Sequence, residues 1–106
     1  MALDGAKLLF GGKPLTGHNI PDVYGSYEPT CIYVPFKHFR NSKKFKLITT
    51  ELFGPFSVVT EYKRNQTETL LDHLESLPNH LTAALVSNDA LFTDNFMGKT
   101  INGTTY

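Results

Sequence analysis

The strongest structural signal in this chain is the stretch Glu51-Leu52-Phe53-Gly54-Pro55-Phe56-Ser57-Val58-Val59-Thr60-Glu61-Tyr62. An acid, an aromatic residue and a Gly-Pro pair stand directly before an apolar, β-branched run. Neither a helix nor a strand ladder continues easily through Gly-Pro, because glycine costs backbone entropy and proline lacks an N–H. The pattern therefore predicts a strand over Val58 to Tyr62, with Glu51 and Phe53 on the loop before it.

That loop offers two chemical groups that are two residues apart. A carboxylate accepts hydrogen bonds from sugar hydroxyls, and an aromatic ring packs on a flat heterocycle. Glu51 and Phe53 are therefore candidates for binding a ligand that has both hydroxyl groups and a planar ring. From the residues alone, the alternative stays open that Glu51 is a surface acid and Phe53 a core residue flanking a turn.

Composition limits the class of protein. The chain has 106 residues, which predicts one domain with a limited core, and its 10 basic and 10 acidic residues cancel. A neutral chain has no overall field that favours nucleic acid or an anionic membrane, and no apolar run approaches the roughly 20 residues of a membrane span. The single cysteine, Cys31, fits a reducing compartment. The first residues carry neither an apolar signal core nor an arginine-rich presequence.

Two strands are predicted before the Glu51 loop. Leu8-Leu9-Phe10 is an apolar run stopped by Gly11-Gly12, which indicates a strand ending in a tight turn. Thr30-Cys31-Ile32-Tyr33-Val34 is β-branched, aromatic and closed by Pro35. Residues 13–29 show no period and predict a long loop.

Helices and strands alternate after the Glu51 loop. Asn65, with Glu68 three residues later, predicts a capped helix whose apolar face holds Leu70, Leu71, Leu74 and Leu77 and which Pro78 ends. The nearly continuous apolar run of residues 81–86 predicts a strand buried on both faces.

The last part of the chain adds one more helix and strand. Asn88 and Asp89 can cap the start of a helix, Gly98 suits its C-terminal cap, and residues 100–102 begin a final strand. The order β-β-β-α-β-α-β predicts an α/β fold with a mostly parallel sheet and crossover helices.

No complete active site is visible. Cys31 lies mid-strand with nothing to hold it as a thiolate, so we expect a packed, inert thiol. The four histidines lack metal-ligand spacing, and no metal is expected. The basic stretch from Lys37 to Lys46 predicts a solvated loop or short helix rather than a nucleic-acid patch, because the chain is neutral overall.

Five blocks follow one another in a recognisable order: Gly11-Gly12, Glu28-Pro29-Thr30, Glu51-Leu52-Phe53-Gly54-Pro55, Leu81-Thr82-Ala83-Ala84-Leu85-Val86 and Thr100-Ile101-Asn102. Together they resemble the C-terminal part of the catalytic domain of NAD(P)-dependent aldehyde dehydrogenases, and the Glu-x-Phe-Gly-Pro block is highly specific to that superfamily. Within it, the chain looks most like 1-pyrroline-5-carboxylate dehydrogenases of the plant and protist type. That narrower likeness rests on Gly12-Lys13-Pro14-Leu15, Ile20-Pro21, Phe56, Thr60-Glu61-Tyr62, the run from His80 to Asp89, and Asn102-Gly103-Thr104-Thr105-Tyr106.

The resemblance implies roles for the loop residues. Glu51 would hydrogen-bond the nicotinamide ribose of NAD, and Phe53 would pack near the nicotinamide. The implied reaction is oxidation of glutamate semialdehyde, formed from pyrroline-5-carboxylate, to glutamate in proline breakdown. The implied location is the mitochondrial matrix, or otherwise the cytoplasm. Leu52 departs conservatively from the family's usual isoleucine.

The resemblance also implies that residues 1–106 are a single partial domain. The family's nucleophilic cysteine, general-base glutamate and dinucleotide-binding half would lie upstream, and its loop for the substrate carboxylate downstream. No catalytic residue is therefore expected in this chain, which would be a segment of a larger enzyme or a truncated gene product. The expected partners are a small aldehyde, the remainder of the enzyme and further copies in a homo-oligomer, with no nucleic acid and no membrane. Two alternatives stay open: an aldehyde dehydrogenase with another substrate, and a non-catalytic module that serves assembly.

Overall fold

The computed structural model describes residues 2–106, which form two compact units. The first unit ends at Glu61 and the second begins at Tyr62. Each unit has its own small sheet and its own helices, and each is described by itself below.

The first unit is a three-stranded sheet with one α-helix. Its strands are β1 (Lys7–Phe10), β2 (Thr30–Tyr33) and β3 (Phe56–Val59), in the sheet order β1-β2-β3. β1 runs antiparallel to β2, whereas β3 runs parallel to β2. The connection from β2 to β3 contains a 3₁₀ helix (Phe36–Arg40) and helix α1 (Ser42–Thr49). A parallel pair requires such a crossover, and α1 supplies it.

The turn after β1 forms where the glycine pair predicted it. Gly11 and Gly12 have φ angles of 79° and 90°, a region that favours glycine. The Gly12 N–H donates to Thr30 Oγ1 at 2.8 Å, and the Thr30 hydroxyl donates to the Glu28 carbonyl at 2.8 Å. The turn is thereby tied to the start of β2.

The core of the first unit lies along β2 and the segment after it. Cys31, Val34 and Phe36 are buried, and so is His38. Lys44 Nζ donates to His38 Nδ1 at 3.2 Å, so His38 Nε2 carries the proton that it donates to the Asp4 carbonyl at 2.8 Å. His38 therefore joins the N-terminal segment to helix α1.

The second unit pairs two helices with two short strands. Its elements are a 3₁₀ helix (Arg64–Gln66), α2 (Thr67–Glu75), β4 (Thr82–Ala83), α3 (Ala90–Lys99) and β5 (Thr104–Thr105). β4 and β5 are parallel and two residues long. Leu71 of α2 and Phe96 of α3 are its buried apolar residues.

Helix ends in this unit confirm one predicted cap and correct two. Asp89 accepts from the Phe92 N–H at 3.0 Å and caps α3 as predicted. Asn65 is not a cap, because the chain enters α2 through a 3₁₀ turn in which the Gln66 amide oxygen accepts from the Lys63 N–H at 2.8 Å. Gly98 lies inside α3, which continues to Lys99.

The α/β class is confirmed, but a mostly parallel sheet is not. The three-stranded sheet is mixed, since β1–β2 is antiparallel. The predicted element order omitted α1, which begins at Ser42 within the stretch expected to be a solvated loop or short helix and continues past it to Thr49.

The apolar run of residues 81–86 was expected to form a strand buried on both faces; the strand forms, but the burial does not. The strand covers Thr82 and Ala83, and the Leu85 N–H donates to the Tyr106 carbonyl at 2.7 Å, while Val86 is 99% exposed. The final strand lies at residues 104–105 rather than at 100–102.

Apolar side chains remain exposed on the three-stranded sheet. They come from all of its strands and include Leu8, Phe10, Ile32, Val58 and Val59. Across residues 2–106, no helix has both the length and the apolar character needed to cross a bilayer.

Candidate functional site

Helix α1 sets where the Glu51 loop begins. The side chain of Asn41 caps the helix by accepting from the Lys44 N–H at 3.0 Å. At the other end, the Thr49 hydroxyl donates to the Phe45 carbonyl at 2.8 Å and the Thr50 hydroxyl to the Lys46 carbonyl at 2.6 Å. These two side-chain bonds tie both threonines to carbonyls of the last turns of the helix. Thr50 is extended, so Glu51 leaves the helix axis at a defined residue.

A three-residue turn sets where the loop ends. The Phe56 N–H donates to the Gly54 carbonyl at 2.8 Å, with Pro55 at the centre of the turn. Proline fixes φ near −65°, close to the value that an inverse γ-turn requires at its central residue. The Pro55 carbonyl in turn accepts from the Thr30 N–H at 2.8 Å, which fastens the turn to β2.

Glu51 and Phe53 lie between these two anchors, as predicted. Both are exposed, and the Phe53 side chain is 97% exposed. Within the described part of the chain, the Glu51 carboxylate makes no hydrogen bond or ion pair. The loop therefore presents a free acceptor and an uncovered aromatic face. The alternative that Phe53 is a core residue does not hold for this chain.

A cavity of about 640 Å³ lies beside the loop in the first unit. Glu51, Leu52 and Gly54 contribute to its lining from the loop. The rest of the lining is mainly apolar and includes Ile32, Val34, Leu47, Ile48, Phe56 and Val58. Glu51 is the charged residue of this lining, so an entering molecule would meet one carboxylate on an otherwise apolar surface.

The thiol of Cys31 and the imidazole of His18 do not take part in this site, because the first is buried and the second is hydrogen-bonded within its own loop. Cys31 is 4% exposed within β2, in agreement with the predicted packed thiol. His18 is engaged in its own loop, where Nδ1 accepts from the Ile20 N–H at 3.0 Å and Nε2 lies 3.0 Å from the Leu15 carbonyl. Among residues 2–106, no group of three or more acidic, histidine or cysteine side chains could hold a metal ion.

The perturbed titratable groups belong to the second unit. Glu68 of α2 accepts hydrogen bonds from Lys99 and Asn95 of α3. The bond from Lys99, and then that from Asn95, lowers the pKa of Glu68, and the same bond to Glu68 raises the pKa of Lys99. Glu68 was predicted to complete a capping box, but it joins two helices instead. The pair links α2 to α3 at the surface of the second unit.

Sequence reasoning found the two exposed loop residues and missed the residues that hold them. Thr49, Thr50 and the α1 helix were not predicted as supports. A signal was present, since Asn41 directly before Ser42 is a favoured cap.

Two curated proteins are similar to this chain over its full length. No protein-family model matches it. A "Probable aldehyde dehydrogenase" of Linum usitatissimum is 53% identical over 106 residues, all of this chain and 19% of the relative. The whole of this chain is thus similar to part of an aldehyde dehydrogenase. "Delta-1-pyrroline-5-carboxylate dehydrogenase 12A1, mitochondrial" of Arabidopsis thaliana is 50% identical over 107 residues, again covering all of this chain and 19% of the relative.

The recognised resemblance is thereby confirmed, and the chain is similar to a 1-pyrroline-5-carboxylate dehydrogenase along its full length. It spans about one fifth of the length of the curated relatives that it matches. One of those relatives is named mitochondrial.

Proposed function

We propose that this chain is the segment of an NAD-dependent aldehyde dehydrogenase that holds the nicotinamide end of the cofactor. The observation that carries the proposal is the exposed pair Glu51 and Phe53 on a loop anchored at both ends. The free Glu51 carboxylate can accept from ribose hydroxyls, and the uncovered Phe53 ring can pack on a flat heterocycle. The acceptor and the aromatic ring of the loop thus fit the ribose and the nicotinamide of NAD.

The chain's own residues bind and orient rather than react. NAD, when bound, supplies the acceptor for the hydride of the aldehyde. Glu51 fixes the ribose and Phe53 limits the positions open to the ring beside it. Holding the reacting atoms in the right geometry lowers the activation free energy by roughly several kcal/mol, and a displacement of about 1 Å can lower the rate about 100-fold. Cys31 is buried within a strand, so the thiol that attacks the aldehyde is supplied by another part of the enzyme.

The proposed substrate is glutamate semialdehyde, formed from pyrroline-5-carboxylate, which the enzyme oxidises to glutamate in proline breakdown. The support is the likeness to the mitochondrial Arabidopsis relative over the full chain. The mitochondrial matrix is the proposed location for the same reason. The remainder of the enzyme is the proposed partner that covers the exposed apolar residues of the sheet, and we propose that the whole enzyme forms a homo-oligomer.

The test is NADH formation by an intact aldehyde dehydrogenase that carries this chain as its matching segment. We expect turnover with pyrroline-5-carboxylate to exceed turnover with a simple aliphatic aldehyde of similar length. The isolated 106-residue chain, assayed alongside, should form no NADH with saturating NAD. Turnover by the isolated chain would contradict the proposal, since its one thiol is buried. A preference for the aliphatic aldehyde would contradict the proposed substrate.

A further inference from the structure

The ring of Phe56 contacts the backbone of the loop that holds Glu51 and Phe53. A Cβ placed on Gly54 would lie 2.6 Å from Phe56 Cε2 and 3.0 Å from Cδ2, closer than real Cβ atoms come to a ring. The backbone of Phe56 also binds Gly54 through the 2.8 Å hydrogen bond of the turn. The Phe56 ring therefore limits, at Gly54, how close the loop can approach β3.

The Phe56 ring is itself in contact with a second ring. Tyr27 lies with its centroid 6.0 Å from that of Phe56, at an interplanar angle of 53°. This tilted arrangement is one that aromatic pairs prefer.

Tyr27 belongs to the long loop of residues 13–29, and the backbone there is paired. Tyr27 forms an isolated antiparallel bridge with Pro14, the Glu28 N–H donates to the Lys13 carbonyl at 3.0 Å, and the Leu15 N–H donates to the Ser26 carbonyl at 3.0 Å. Tyr27 is thus fixed from both sides along the chain. The Tyr27 ring, held by the loop of residues 13–29, therefore contacts the Phe56 ring, which limits how close Gly54 can come to β3.

We propose that Phe56, supported by Tyr27, is a positioning residue that sets the placement of the loop carrying Glu51 and Phe53. The proposal rests on the proposed function of that loop. The ring acts on the loop through Gly54. Any change that pushes the ring and Gly54 apart displaces the carboxylate and the phenyl ring together.

The experiment is a double-mutant cycle in an intact aldehyde dehydrogenase that carries this chain. Gly54→Ala inserts the methyl group that the ring excludes, and Phe56→Val removes the ring. We expect Gly54→Ala to lower the single-turnover rate of hydride transfer by about tenfold or more, while the dissociation constant of NAD changes by less than about threefold. In the Phe56→Val background, Gly54→Ala should change the rate by less than about threefold, because the clash is gone.

Gly25→Ala is the matched control. A Cβ at Gly25 meets no atom within 4 Å, so that variant should leave the rate unchanged. Tyr27→Phe keeps the ring and should keep the rate, whereas Tyr27→Ser should lower it. Rescue by Phe and not by Ser distinguishes a ring contact from a requirement for the hydroxyl.

Hydrogen exchange of the peptide spanning residues 50–56 supplies a readout that does not depend on activity. Gly54→Ala should speed exchange there, and Phe56→Val should remove the increase. Equal effects of Gly54→Ala with and without the Phe56 ring, in exchange or in rate, would overturn the proposal. Coupling in exchange without coupling in rate would also overturn it. Failure of the proposed function is seen separately, as an unchanged hydride rate in Glu51→Gln.

Discussion

Replacing Gly11 by alanine should open the turn after β1, which is hydrogen-bonded to the start of β2, where the Glu51 loop is also fastened. Gly11 has φ of 79°, and a Cβ there would lie 2.1 Å from the Pro29 carbonyl oxygen and 2.8 Å from Thr30 Cα. A left-handed conformation costs a residue with a Cβ roughly 1–2 kcal/mol. Forcing a methyl group against backbone adds about 1–3 kcal/mol. The expected loss is therefore about 2–5 kcal/mol, the sum of these two ranges.

Gly17→Ala separates the two contributions. Gly17 also has a positive φ, 70°, but a Cβ there meets nothing within 4 Å. It should cost the backbone contribution alone, about 1–2 kcal/mol. The assay is hydrogen exchange of residues 7–12 and 28–34 in an intact enzyme that carries the chain, where local opening free energies are read as exchange rates. Gly11→Ala should raise exchange by about thirtyfold or more, since 1.4 kcal/mol is a factor of ten. Exchange of residues 7–12 and 28–34 that is no faster in Gly11→Ala than in the unsubstituted chain would refute the reasoning.

Two further predictions concern a buried thiol and an ion pair. Cys31 is 4% exposed, so its labelling by a thiol reagent at neutral pH should be far slower than that of a free thiol peptide; labelling at the peptide's rate would show an exposed thiol. The Glu68–Lys99 pair should stabilise the second unit over a pH window. The pKa of Glu68 is lowered from about 4.5, so its contribution is present above that value and is lost as pH falls through the lowered pKa. The pKa of Lys99 is raised from about 10.5, so its contribution is present below that value and is lost as pH rises through the raised pKa. Glu68→Gln should flatten the pH dependence of hydrogen exchange in α2 at both the acidic and the basic limit of this window. An unchanged pH profile of exchange would contradict the pair's role.

Local chemistry explains which elements could be predicted. The Gly11-Gly12 turn and the Asp89 cap depend on neighbouring residues only, and both formed as expected. The loop position of Glu51 and Phe53 followed from the Gly-Pro pair for the same reason, whereas the exposure of Phe53 did not, because the residues alone left a core Phe53 open. Helix α1 was predicted only as one of two alternatives, a solvated loop or a short helix, although Asn41 offered a local cap.

Longer-range outcomes could not be predicted from the same signals. A continuous apolar run such as residues 81–86 forms a buried strand only where other elements cover both of its faces. In the second unit β4 has a single neighbour, β5, and Val86 stays exposed. The direction of β1 against β2 depends on how residues 13–29 fold back, which no period in that loop encodes.

The contacts that hold the candidate site also escaped prediction. The Thr49 and Thr50 hydroxyls and the ring of Phe56 act through backbone atoms of other residues. Residue type indicates that a carboxylate can bind a sugar, but only the fold shows what holds that carboxylate still.

The most direct test of the central claim is single-turnover hydride transfer in Glu51→Gln, measured in an intact aldehyde dehydrogenase that carries this chain. A hydrogen bond to a charged group contributes about 1.5–3 kcal/mol, so we expect a tenfold or greater loss of rate with a smaller change in NAD affinity. Glu61→Gln is the control, since Glu61 is exposed and lies beyond β3. A hydride rate in Glu51→Gln equal to that of the unsubstituted enzyme would remove Glu51 from the cofactor site.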